Sequence, residues 1–377
     1  MKNKRLDYID NIRILLTVVV LLNHISITYG APGGWYYREF DVNQLSLIPL
    51  TLLVLFAAGN QAYSMGFFFL ISGFFSARSL SRKGPRRFLL QRSIRLGLPV
   101  LFFVYFVSPL LRLSLRKILY GVPINLEKAL ATYQQINFGV ELGPMWFIML
   151  LLIFSLILSL ANDWLQKISS GIKIPSRTNM ILLTVAAGFV TFLIRIEFSI
   201  GTVFQPLNLQ VSNLFQYILS FFFGAVSYHA NWEPNVKSLS TRFWIPFTVG
   251  TIFLMPVLFI ASGGAAGDVT PALGGLYWQS LALSVWEQLF CLGMASSLLI
   301  LFFRYLNQQT KFSQELAASS YATFVFHPLV LVIFTTSLIG FNFPPLLKIS
   351  LVAVPAVLLC FVSASLLRRL PGLRSIL

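Results

Sequence analysis

An arginine and a histidine frame the first long apolar run of this sequence. From Ile14 to Leu22 there is no charge, and Thr17 is the one polar residue. Arg13 and His24 bracket that run, eleven positions apart. On a helix, at about 100° per residue, the two side chains fall within roughly 20° of one another and about 16 Å apart along the axis. One helix face would then carry a guanidinium at its start and an imidazole deep in the apolar layer. Ionisable groups are costly in hydrocarbon, so a histidine at that depth is a functional candidate by default. The chemistry open to it is proton abstraction from a hydroxyl. A plain interhelical hydrogen bond is the other reading, and the residues alone leave both open. Asp10 stands three residues before Arg13, within reach of it on the same helix.

Further candidates follow along the chain. Arg92 and Arg95, at i and i+3, share a helical face, and paired guanidinium forks suit a bidentate grip on phosphate oxygens. Anchoring to anionic lipid is the competing use, and it is the better account of Arg78, Lys83, Arg86 and Arg87. His327 lies inside another apolar run. Pro328 after it frees a backbone carbonyl one turn earlier, and irregular backbone at membrane depth tends to line a cavity. His327 therefore either lines a pocket or packs. Glu287, in Trp286-Glu287-Gln288, is an acid inside an apolar run, open to catalysis or to a structural hydrogen bond. Glu141 precedes Pro144 and Trp146 at the start of another run, where Trp146 either serves a site or anchors at a membrane interface. Arg195 and Glu197 read as rim charges. The sequence holds no Walker-type glycine loop, HExxH, CxxC or GxSxG. Three scattered histidines and two cysteines in apolar segments point to neither a metal site nor a disulfide framework.

The elements that must position these residues are membrane helices. The 377 residues are 56% hydrophobic and 11% charged, with a mean hydropathy of +0.78, whereas soluble domains average about a quarter charged. The net charge of +16 sits in loops between apolar runs, which fits lipid headgroups and not nucleic acid. The basic N-terminus resembles a signal-peptide n-region. However, the apolar part that follows is too long, carries Arg13 and ends in Asn23-His24, so it reads as a retained first helix. Stretches of bilayer-crossing length fall at 12–29, 62–80, 97–115, 144–161, 179–197, 213–230, 244–262, 280–303, 321–340 and 346–366. The shorter stretch Leu45–Ala58 reads as interfacial or re-entrant, with an eleventh crossing as the alternative. A cytoplasmic N-terminus places 20 of the 28 Lys and Arg residues, Lys2, Lys4 and Arg5 among them, on the inner side. An eleventh span would spoil that asymmetry. The expectation is an all-α integral membrane protein: one domain over residues 1–377, a bundle of about ten transmembrane helices with both termini cytoplasmic. Nothing in the sequence speaks to oligomeric state. In this frame Glu287 and His24 lie at similar depth below the outer face, so the carboxylate could orient and polarise the imidazole. His327 falls nearer the inner half of its span.

Taken together these features resemble the acyltransferase-3 family of polytopic membrane acyltransferases. The resemblance rests on Arg13 and His24, on the Arg-x-x-Arg of Arg92 and Arg95, and on the run Phe68-Phe69-Leu70-Ile71-Ser72-Gly73-Phe74. The Trp146 segment and the Ser320-Tyr321 to His327-Pro328 run complete it, in family order across nearly the whole chain. The outer loop with Gly33-Gly34-Trp35-Tyr36-Tyr37 is similar to a branch that includes glucan-modifying succinyltransferases. The chain departs from the family at Ile14-Leu15-Leu16, where a Gly-Leu/Ile-Ala run is frequent, and at the apolar Phe147–Leu152, where many members are Glu-rich. That leaves Glu141 and Glu287 as the acidic candidates. The resemblance implies transfer of an acyl group, acetyl first, from a cytoplasmic acyl-CoA to a hydroxyl of an envelope or exported glycan in a bacterial inner membrane. Arg92 and Arg95 would hold the nucleotide phosphates, His24 would act as general base tuned by Glu287, and Arg13 would steer the acyl arm or hold Asp10. A longer anionic acyl group would want a further outer cation, for which Arg195 or Arg112 would serve. The rival from another class is a secondary transporter with His24, Glu287 and His327 as a proton relay.

Overall fold

The computed structural model describes residues 6–137, 141–264 and 267–376. Lys2, Lys4 and Arg5 lie outside them, as do residues 138–140 of the long outer loop. The uncharged run after Arg13 folds as helix α1, Asp7–Thr28, with Asp7 and Asp10 in its first turn, where the helix dipole favours negative charge.

Helix α2 runs unbroken from Leu47 to Lys83, 37 residues, or about 55 Å. The stretch Leu45–Ala58 is therefore neither re-entrant nor an eleventh crossing: almost all of it is the first part of α2. Pro49 falls in the opening turn, where its missing N–H costs nothing, and no proline follows to stop the helix. The basic segment after the second span is likewise helical and not a loop. Gly84, at φ +73°, is the entire link between α2 and α3, Pro85–Tyr120, whose first residue suits a helix start. Two π-helical turns, Ser93–Gly97 and Phe103–Val107, interrupt α3.

The remaining long helices are α4 Trp146–Ser169, α5 Arg177–Glu197, α6 Val211–His229, α7 Thr241–Ala261, α8 Trp278–Tyr305, α9 Lys311–Thr336 and α10 Pro345–Arg368. A short antiparallel hairpin, Val203–Phe204 with Leu209–Gln210, precedes α6. Among the described residues nine helices are long and apolar enough to cross a membrane. The other of the ten, α6, matches the sixth expected span but buries Asn213 and Gln216.

The small residues Ser72-Gly73 bring two helices into close approach. A Cβ on Gly73 would lie 1.9 Å from the Phe221 carbonyl oxygen of α6, and one on Gly224 would lie 2.0 Å from that of Leu70 on α2. The two backbones touch through reciprocal glycines, as small residues allow in membrane helices.

Helix α1 packs against α2, α8, α9 and α10. Its start is tied to the α8–α9 link, because Asn11 donates to the carbonyls of Leu306 at 2.7 Å and Gln308 at 3.1 Å. The end of α10 reaches the start of α9 through Arg368 and Glu315, 3.7 Å apart. The first and last helices thus begin and end at the same pole of the bundle, the one the charge bias assigns to the cytoplasm.

Candidate functional site

Three near-parallel rings meet inside the bundle. His24 of α1 stacks on Trp35 with centroids 3.9 Å apart and planes 16° apart, and on His327 of α9 at 5.1 Å and 17°. Trp35 and His327 are 5.8 Å apart at 11°. His327 is fully buried. It does not lie in the inner half of its span. α9 begins at Lys311, ten residues before the apolar stretch starts, because Thr310 caps the helix at the Ser313 amide. That polar opening shifts His327 outward, to the level of His24. The sequence marks Trp35 only as part of an aromatic run in a glycine-rich loop. The loop carries that indole into the bundle.

Each ring of the cluster carries a buried polar atom with no hydrogen-bond partner among the described residues: His24 Nδ1, His327 Nε2 and Trp35 Nε1, with Thr323 Oγ1 one turn before His327 on α9. Such atoms are rare in folded proteins, and these are free to meet polar groups from elsewhere.

The pole of the bundle that begins α1 carries cations. Arg92 of α3 donates to Ser76 Oγ of α2 at 2.8 Å and lies 5.4 Å from the Phe88 ring centre. Arg95 and Arg13 are both close enough to act on Arg92 through space, as is Tyr321. Pro99 has no N–H to offer the Arg95 carbonyl one turn earlier, and the Tyr321 hydroxyl donates to that carbonyl at 2.6 Å. The expected Asp10–Arg13 contact is present at 3.2 Å. No carboxylate pairs with Arg92 or Arg95 among the described residues. Six residues up α9 from Tyr321 stands His327, and eleven up α1 from Arg13 stands His24. The arginine cluster and the ring cluster thus stand at two levels of the same pair of helices, α1 and α9.

Four of the sequence candidates lie elsewhere. Glu287 does not serve His24: its carboxylate accepts from Arg195 at 2.5 Å. Arg195 is no rim charge but fully buried, and it also donates to Asn213 Oδ1 at 2.9 Å and Ser284 Oγ at 3.2 Å. Depth along a helix was readable, but which helix Glu287 faced was not: α8 packs along α5, and that places Arg195 opposite it. Glu141 is buried, pairs with Arg112 and accepts from Ser108. Burial, with Glu141 nearby, pushes the neighbouring Tyr36 hydroxyl above its ordinary range, so it stays protonated. Trp146 is half-buried; it stacks on Tyr217 of α6 at 5.4 Å and packs against the largest apolar cluster. Both cations offered for an anionic acyl group, Arg112 and Arg195, are therefore already paired.

The outer loop is fastened by a third ion pair with a buried partner. Lys348 of α10, fully buried, donates to Glu39 and to the carbonyls of Leu338 at 2.9 Å and Phe341 at 3.0 Å. Among the described residues no group of three or more His, Cys, Asp and Glu side chains gathers as a metal site would require.

The family model described as an acyltransferase domain matches residues 6–365. The chain belongs to the acyltransferase-3 family. It is a multi-pass membrane protein of an acyl-transferring class. It is similar to glucans biosynthesis protein C of Salmonella schwarzengrund, 26% identical over 354 residues, 89% of this chain and 86% of the relative. The same-named protein of Salmonella paratyphi B is 26% identical over 337 residues, 86% of this chain and 82% of the relative. No solved structure matches the chain.

Proposed function

We propose that this acyltransferase-3 member moves an acyl group, acetyl first, from a cytoplasmic acyl-CoA to a hydroxyl of an envelope or exported glycan, in a bacterial inner membrane. The observation that carries the reading is the pair of sites at two levels of α1 and α9: Arg92 and Arg95, with no carboxylate partner among the described residues, at one pole, and two imidazoles with unpartnered nitrogens further in. Arg92 and Arg95 suit the nucleotide phosphates. Arg13, near enough to act on Arg92 through space, lies about 16 Å of helical rise from His24, a distance for an extended pantetheine arm. A neutral His24 takes the proton of the acceptor hydroxyl as its oxygen attacks the thioester carbon. The carbon–sulfur bond breaks, and the thiolate leaves and recovers the proton from the imidazolium. Transfer is direct, with no acyl-enzyme.

A glycan acceptor is supported by the name of the relatives, glucans biosynthesis protein C. A neutral acyl group is supported by the pairing of Arg112 and Arg195 with Glu141 and Glu287. That second pairing also weakens the transporter reading, whose relay needs Glu287 beside the imidazoles.

The test follows free-thiol release from acetyl-CoA and succinyl-CoA by purified protein in nanodiscs, with and without envelope glycan. Release that depends on glycan and is lost in His24→Ala is the expected result. Full activity in His24→Ala, or coenzyme A binding that ignores Arg92→Ala, would overturn the assignment. A trapped labelled acyl-enzyme would overturn direct transfer.

A further inference from the structure

His327 and Pro328 form a small device. In a continuous helix the amide of residue 328 would donate to the carbonyl of Phe324. Proline has no N–H, so that carbonyl is left free. His327 Nδ1 lies 2.7 Å from it. A carbonyl oxygen only accepts, so Nδ1 carries the proton, and in the neutral ring Nε2 is left with the lone pair. His327 is thus held in one tautomer by its own backbone. Its Nε2 is buried and has no partner among the described residues. His24 does not satisfy it: His24 Nδ1 is itself without a partner, and no hydrogen bond joins the two rings among the described residues.

A fixed lone pair beside the general base calls for a donor that arrives with the substrate. We infer that His327 is a specificity-determining residue. Its Nε2 accepts a hydrogen bond from a second hydroxyl of the acceptor, next to the one that His24 deprotonates, so the enzyme selects acceptors with adjacent hydroxyls over lone alcohols. The inference rests on the acyl-transfer reading and names the acceptor class within it. The pantetheine arm also carries N–H and O–H donors, so the test separates donor from acceptor.

Full-length protein in nanodiscs would be assayed on a glycoside bearing adjacent hydroxyls and on its monodeoxy counterpart, varying the acceptor at saturating acyl-CoA and then acyl-CoA at saturating acceptor. The wild type should favour the diol by about tenfold or more in kcat/KM, the loss expected for an unpaired buried acceptor. His327→Phe keeps a ring but no lone pair. It should lose that preference and treat the deoxy acceptor as the wild type does. Preference retained in His327→Phe, or a loss confined to the KM for acyl-CoA, overturns the inference.

A second measurement is independent of turnover. In ¹⁵N-histidine-labelled protein, the signal missing from His327→Phe should report a protonated Nδ1, and Pro328→Ala, which restores the competing amide, should shift it toward a tautomer mixture. A proton on Nε2 in the wild type overturns the inference. Absence of thiol release by the wild type with every acceptor overturns the acyl-transfer reading itself, whereas loss of the diol preference alone overturns only this inference.

Discussion

Replacing Glu287 by alanine distinguishes a structural acid from a catalytic one. The carboxylate is nearly buried against an Arg195 with no solvent exposure, and the guanidinium's other acceptors are the neutral Asn213 and Ser284. Removing the acid leaves a cation in the bundle without a counter-charge, which costs about 3–5 kcal/mol. At about 1.3 °C per kcal/mol for a chain of this length, the midpoint of heat-induced loss of monodisperse protein should fall by roughly 5 °C. Replacing both partners, Arg195→Met with Glu287→Leu, removes both desolvation penalties and should recover most of that fall. The double variant should also retain acyl transfer, since neither group belongs to the ring cluster. The assay pairs size-exclusion profiles after a heat step with thiol release at a temperature where all variants are folded. A stable but inactive Glu287→Gln, or an inactive, well-folded double variant, would return Glu287 to the chemistry and refute the reasoning.

Other expectations concern packing and the two poles of the site. Gly73→Ala should abolish monodisperse protein in size-exclusion chromatography, because the clash is with the Phe221 backbone, which cannot rotate away. Trp35→Ala should lower kcat about tenfold by releasing the His24 ring, while Trp35→Phe, which keeps a stacking face, should lose less; stacked rings contribute about 0.5–1.5 kcal/mol. Arg92→Ala should raise the KM for acyl-CoA about tenfold or more and leave glycan KM unchanged, from the loss of a charge-assisted bond to phosphate.

Much of the bundle was written in local patterns. Apolar length marked the helices, the spacing of Arg13 and His24 set one face of α1, and Ser72-Gly73 marked the backbone contact that the second and sixth helices make. What hydropathy misses is helix that is not apolar. Lys311–Ser320 is polar enough to look like a loop, yet it forms the first turns of α9 and moves His327 outward. The basic residues before Arg92 are helical for the same reason. Lateral partners were less legible still. A carboxylate's depth follows from its position in the span, but Glu287 could have faced α1 as readily as α5, and only the packed bundle gives it to Arg195. Trp35 lay beyond any periodicity, since a glycine-rich loop has no face from which its side chain can be placed.

The one-residue link at Gly84 sets a rule for how this chain can change over evolutionary time. With α2 helical to Lys83 and α3 helical from Pro85, no slack exists to absorb an insertion. One residue added within either flanking helix turns everything beyond it by about 100° and advances it by about 1.5 Å. Arg92 would then leave Ser76, and the Arg95 carbonyl would leave Tyr321. Length drift at this turn is therefore barred where substitution is not: the charges around Gly84 can be exchanged one by one, but their count cannot.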